Sequence, residues 1–284
     1  MKFAVLASCV CDAGPMLRWH SLGERSVPEA RDWLAAGEIA RVAAMRFTKR
    51  RSEWLLARWT AKQTLAAELG LADDPASLAR IEIRTIIGGE AQGAPEVFVD
   101  GLRYEIGVSL TDRADWAVCV IGAIDELGCD LELVEARSDR FVRDYFTPPE
   151  QAAVINPPFD SSSDAVANLI WSAKESALKV LRTGLRRDTR SVEVSFPLEK
   201  SVDDWHSLRV RTEEGRHLSG WWRQYGEFLL TVVTGQPVPP PRSLVDPPSL
   251  ATAEPSHRWL AAPLADRRGG AVPPQSGLGV RPDS

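Results

Sequence analysis

Two hydrophobic periods divide the chain between helices and strands. The clearest stretch runs from Leu169 to Leu185. There Leu169, Ile170, Ala173, Ala177, Leu178 and Leu181 recur at spacings of three and four, which predicts a helix with one apolar stripe. Gly184 supplies its expected stop. A second helical region opens at Pro28–Arg31, continues through Trp33, Leu34 and Ile39, and stays strongly helical from Glu38 to Leu69. Met45, Phe47, Trp54, Leu55, Trp59 and Leu65 are its candidates for core packing. Period-two or continuous apolar runs predict strands at residues 3–11, Ile81–Thr85, Tyr104–Thr111, Trp116–Ile124, Cys129–Val134, Ser191–Phe196, Leu208–Thr212 and Phe228–Val233. Trp221 and Trp222 sit on a connecting strand, and Asp139–Asp144 is a short helix. Gly88-Gly89, Gln92–Pro95 and Asn156–Asp164 read as loops. From Gln236 onward, Pro, Gly, Ser and Ala without apolar periodicity predict a disordered tail to Ser284.

Composition narrows the class. The apolar share of 44% and charged share of 26% are those of a globular protein, and the length suits about two domains. A net charge of −5 argues against general nucleic-acid binding. The four cysteines, Cys9, Cys11, Cys119 and Cys129, read as buried free thiols in a reducing compartment. Leu6-Ala7-Ser8-Cys9 imitates a lipoprotein processing site, but the apolar core before it is too short, so a first strand is the better reading. No run is long enough to span a membrane, which makes a soluble cytoplasmic protein the expectation.

The candidate chemistry lies in two places. On the central helix Trp171, Glu175 and Lys179 rise in one column, with Lys174 beside them. Alone, such a Glu–Lys pair would decorate a solvated face. Upstream, Gly128-Cys129-Asp130-Leu131-Glu132 in extended form projects Asp130 and Glu132 from one face, roughly 6–7 Å apart. Two adjacent carboxylates repel, and a divalent cation between them relieves the repulsion. Glu175 would complete the protein's share of an octahedral Mg²⁺ site, and Lys174 and Lys179 would neutralise bound phosphate.

Gly128–Glu132, Phe146–Glu150 and Trp171–Lys179, in that order, resemble the G-[IV]-D-[IVL]-E, F-[ST]-x-x-E and W-[ST]-x-K-E-[SA]-x-x-K motifs of the 4′-phosphopantetheinyl transferase superfamily. The resemblance covers roughly Glu38 to Thr234 and is of the two-subdomain, surfactin-synthetase-activating type. It implies an α/β (α+β) fold of two pseudo-twofold-related subdomains. Residues 1–115 would form a coenzyme A-binding half, 116–235 a Mg-binding catalytic half, and 236–284 the tail. No repeat between the halves is obvious in the sequence.

The resemblance further implies transfer of phosphopantetheine from coenzyme A to a serine of an apo acyl or peptidyl carrier protein by a monomer. Metal would be held by Asp130, Glu132 and Glu175. Glu175 and Glu150 are the candidate bases, with Lys174 in the catalytic set. Coenzyme A would be held by Lys174, Lys179, Thr111, Asp112, Gly93, Pro95, Arg46 and Arg58. The chain departs from the family at Ala94, where a base is expected, and at Asp112, where histidine is usual. Arg113 could supply the missing charge. The rivals are a Mg²⁺-dependent pyrophosphohydrolase and a non-catalytic scaffold binding coenzyme A or a carrier protein.

Overall fold

A computed structural model describes residues 15–89, 92–158, 160–197 and 199–256. The strand expected at 3–11, with Cys9 and Cys11, lies outside the described residues. The N-terminal half runs β1 (Arg18–Gly23), α1 (Ala36–Ala43), α2 (Thr48–Leu69), α3 (Pro75–Ala79), β2 (Ile81–Thr85), β3 (Pro95–Val99), β4 (Leu102–Tyr104), β5 (Gly107–Arg113) and β6 (Trp116–Gly122). The C-terminal half runs β7 (Leu127–Leu133), α4 (Asp139–Tyr145), α5 (Pro148–Ile155), α6 (Ser163–Val180), β8 (Val192–Ser195), β9 (His206–Thr212), β10 (His217–Tyr225) and β11 (Phe228–Thr234). A two-residue strand, β12 (Arg242–Ser243), follows.

Strand order is β12-β1-β6-β5 in one sheet, β7-β11-β10-β9-β8 in the second and β2-β3-β4 in a small third. The mixed α+β architecture agrees with the expected class. Strand β6, beyond the division expected at 115/116, pairs with both β1 and β5 of the first sheet. Sheet membership therefore changes between Gly122 and Leu127.

Alternation along the strands sorts the core into three clusters. Trp19, Val118 and Val120 of the first sheet meet Cys129, Leu131, Phe228 and Leu230 of the second in an apolar layer between the halves. Helix α6 covers the far face of the second sheet, and α2 covers the first. Cys119 and Cys129 are buried free thiols. Among the described residues, no helix is long and apolar enough to cross a membrane.

Four expectations are changed by packing. Residues 28–35 are not helical, and α1 begins at Ala36, where the Glu38 carboxylate accepts the Ala35 N–H and starts the helix. The helix expected over Glu38–Leu69 breaks at residues 44–47. Phe47 is extended there (φ −93°, ψ 121°) and 74% exposed, so it leaves the predicted core. Helix α6 ends at Val180, and the left-handed position that follows belongs to Arg182 (φ 56°), ahead of Gly184.

The fourth change concerns the tail. Residues 236–256 pack as a strap, with β12 adding a parallel edge to β1, Leu250 fully buried, and the indole N–H groups of Trp221 and Trp116 donating to the Val238 and Glu254 carbonyls. A segment with no periodicity of its own can still order by plugging a core that other elements have built.

Candidate active site

Strands β5 and β7 meet across the two halves through side chains. The Ser109 hydroxyl accepts the Cys129 N–H at 2.8 Å, and Thr111 Oγ1 accepts the Leu131 N–H at 3.1 Å. Thr111 Oγ1 also donates to Asp130 Oδ1 at 3.2 Å, which fixes that carboxylate. On the other side α6 lies close enough that a Cβ on Gly128 would sit 2.0 Å from the Ser176 carbonyl oxygen. Only glycine allows that approach. Ser172 and Ser176 complete the junction, each 2.8 Å from Thr231 Oγ1 on β11. Two hydroxyls of the Trp171–Ser176 motif are thus spent on docking the helix.

This docking gathers Asp130, Glu132, Glu175 and Lys179. Asp130 and Glu132 are buried and Glu175 is half-buried. Lys179 Nζ donates to the Cys129 carbonyl at 2.6 Å and to Asp130 Oδ1 at 3.1 Å. Burial, then the charges of Asp130 and Glu132, push the Glu175 carboxyl up to about 7, with Lys179 opposing. The Lys179 ammonium is held above its usual range: burial opposes its charge, and Asp130, Cys129 and Glu175 outweigh it.

Beside the acids a cleft of about 740 Å³ lies between the halves. Arg58 from α2, Gly93 and Pro95 from the β2–β3 hairpin, Lys179 from α6, and Arg182 and Arg186 from the turns after it line it, together with the acids Glu96, Glu105 and Asp125. Lys179 belongs both to the cleft and to the acid cluster.

Several expected site residues go elsewhere. Lys174 is fully buried and faces away from the acids. Its ammonium donates to the Thr189 and Val192 carbonyls at 2.8 and 2.5 Å and pairs with Glu150 Oε2 at 2.8 Å. Glu150 also accepts the Thr147 and Val194 N–H groups, each at 2.7 Å. All three Lys174 ammonium protons and both Glu150 oxygens are engaged in this buried pair, which keeps Lys174 from phosphate and Glu150 from a substrate hydroxyl. Thr111 is committed to β7 and Asp130.

Asp112 points from the opposite face of β5 into a small acidic recess with Glu24, Glu53 and Asp115. Lost hydration first, and Glu53 second, raise its carboxyl to about 6. Arg46 is exposed on the α1–α2 link and does not line the cleft. Arg113 pairs with Glu132 and Glu135 at 3.3 and 2.9 Å, so its charge goes to acids. Arg58 lines the cleft, buried and 4.9 Å over the Trp54 ring.

The fit of a divalent cation rests on two atoms. Asp130 Oδ2 and Glu132 Oε2 are buried and accept no hydrogen bond, although Glu132 Oε2 lies 3.3 Å from both the Arg113 and Arg137 guanidinium groups, and buried carboxylate oxygens free of hydrogen bonds suit a hard cation. Among the described residues, no three ligating side chains are set to hold a metal ion as they stand. Residues 126–233 match the model of the 4′-phosphopantetheinyl transferase superfamily. No curated protein matches the chain. The transferase match runs from just before β7 into β11, so it contains the acid cluster and Lys179 but none of the N-terminal wall of the cleft.

The sequence reading missed Arg182, Arg186, Arg137 and a repeat. Glu175, Lys179, Arg182 and Arg186 follow the spacing of one helix face, a signal that was available. Arg137 carries no local signal. The repeat is Trp59-Thr60-Ala61-Lys62-Gln63-Thr64, which parallels Trp171-Ser172-Ala173-Lys174-Glu175-Ser176.

Proposed function

We propose that this chain transfers phosphopantetheine from coenzyme A to a serine of an apo carrier protein, releasing 3′,5′-ADP. The superfamily match supports phosphopantetheinyl transfer as the reaction class. The observation that carries the finer reading is the shared position of Lys179, hydrogen-bonded to Asp130 while lining the basic cleft. A phosphate chain in that cleft would lie beside the acids.

In this reading Arg58, Lys179, Arg182 and Arg186 bind the phosphates of coenzyme A, and the Gly93–Pro95 turn supports its nucleoside end. Asp130, Glu132 and Glu175 hold the Mg²⁺, which when bound neutralises pyrophosphate and the leaving nucleotide. The serine oxygen forms a bond to the β-phosphorus of coenzyme A as the bond to the bridging oxygen of 3′,5′-ADP breaks. The hydroxyl proton passes to a carboxylate, and Glu175 is the candidate because it keeps access to the surface while Glu150 is sealed against Lys174. Both walls of the cleft come from one chain, which supports a monomer.

The test is incubation with coenzyme A, Mg²⁺ and several apo carrier proteins. The expected result is a gain of about 340 Da on a serine, the mass of the group moved in such Mg²⁺-assisted transfer, and its loss in Asp130→Asn. Coenzyme A bound without transfer to any acceptor, or cleaved without one, overturns the proposal.

A further inference from the structure

Glu132 is the acid whose charge the protein already answers from two sides. Its Oε2 lies 3.3 Å from Arg113 Nε and 3.3 Å from Arg137 Nη2. All three atoms are buried, and none makes a hydrogen bond. These are close charge contacts without hydrogen-bond alignment, so the carboxylate sits between the guanidinium groups without being locked to either.

The arginines themselves are anchored elsewhere. Arg113 Nη2 donates to Glu135 Oε2 at 2.9 Å. Arg137 Nε donates to Asn168 Oδ1 on α6 at 2.7 Å, and its guanidinium lies 4.8 Å over the Phe141 ring. Asn168 is held in turn by the Glu135 and Asp164 carbonyls. Neither arginine lines the basic cleft, so phosphate binding does not account for them.

A cation drawn to Glu132 meets two fixed positive charges at the same oxygen. Those charges lower the attraction of the site for any cation and compete for the lone pairs of Glu132. Resting on the metal reading above, we infer that Arg113 and Arg137 are resident counter-ions of Glu132 that hold down the site's affinity for a divalent cation. They act through Glu132 and are positioning residues, not catalytic ones. Metal binding alone is then weak, and it strengthens when an anionic phosphate chain enters the cleft and restores the charge balance.

The test is titration of the full chain with Mn²⁺ alone, followed by electron paramagnetic resonance and calorimetry, with thermal melts to establish folding. Arg137→Met and Arg113→Met are each expected to tighten Mn²⁺ binding about tenfold, the effect of removing one close like charge. Arg137→Lys keeps the charge and is expected to stay near the wild-type affinity, which separates charge from packing if the methionine variants fold poorly. Adding Glu132→Gln to either methionine variant is expected to abolish the gain. A purely structural role would move affinity the other way, since disturbing the cluster weakens binding. Affinity equal to or below wild type in both methionine variants overturns the inference and leaves the metal reading in place. Mn²⁺ bound by neither the wild type nor any variant overturns both.

Discussion

The two halves build the same buried ion pair and use it under different chemistry. In the C-terminal half Glu150, in the first turn of α5, meets Lys174 of α6 and accepts the Val194 N–H of β8. In the N-terminal half Glu38, in the first turn of α1, meets Lys62 of α2 at 2.6 Å and accepts the Ile83 N–H of β2. Lys62 donates to two carbonyls, as Lys174 does, and each Glu precedes its Lys by 24 residues. The residue after each lysine differs: Gln63 in one half, Glu175 in the other. In place of Asp130 and Glu132, the strand β1 reads Arg18-Trp19-His20-Ser21-Leu22-Gly23, with no carboxylate. One helix-on-sheet scaffold therefore appears twice, and only the C-terminal copy carries the Asp130, Glu132 and Glu175 cluster. The lysine most prominent in the motif packs within the scaffold, and its neighbour Glu175 joins the acids of the proposed site.

Glu175→Gln gives the second copy the first copy's residue. It is expected to lower transfer by about 100-fold or more, the scale for losing a group that organises transition-state charge. Melting should be unchanged or slightly higher, because a crowded carboxylate has been removed. Transfer at the wild-type rate in a carrier-protein assay would end the division of roles between Lys174 and Glu175.

Lys174→Met and Lys62→Met sharpen the comparison from the stability side. Lys174→Met leaves Glu150 without its cation, with a loss of about 3–5 kcal/mol expected by denaturant unfolding, and Lys62→Met, which leaves Glu38 with Arg58 at 3.8 Å, is expected to cost the same or somewhat less. Similar losses would make the pairs equivalent scaffold parts. A Lys174→Met chain that folds as stably as wild type yet fails to transfer would return Lys174 to the active site.

A smaller effect separates the ends of the two long helices. Helix α2 closes on Gly70 in the left-handed region (φ 64°), whereas the chain after α6 places Arg182 there (φ 56°). Arg182→Gly should relieve roughly 1 kcal/mol of backbone strain and raise the melting temperature. It should also weaken coenzyme A binding measured by calorimetry, since Arg182 lines the cleft. Unchanged coenzyme A affinity would remove Arg182 from the phosphate-binding set.

Much of this molecule was legible in the chain. Apolar periodicity located α6 and most strands, because a half-buried helix or strand must repeat its apolar positions at 3.6 or 2 residues. Motif spacing brought Asp130, Glu132, Glu175 and Lys179 forward as a group, since a strand face and a helix face are set by local geometry alone. Tertiary structure decided the rest. Whether Lys174 pointed to phosphate or to Glu150 depended on the carbonyls of Thr189 and Val192, which approach only when β8 and its preceding turn fold back on α6. The partners of Glu132 come from β5 and from the segment after β7, and the strap after Gln236 orders against Trp221 and Trp116. Local sequence determines which residues share a face; burial and charge pairing depend on what the other half of the chain brings to that face.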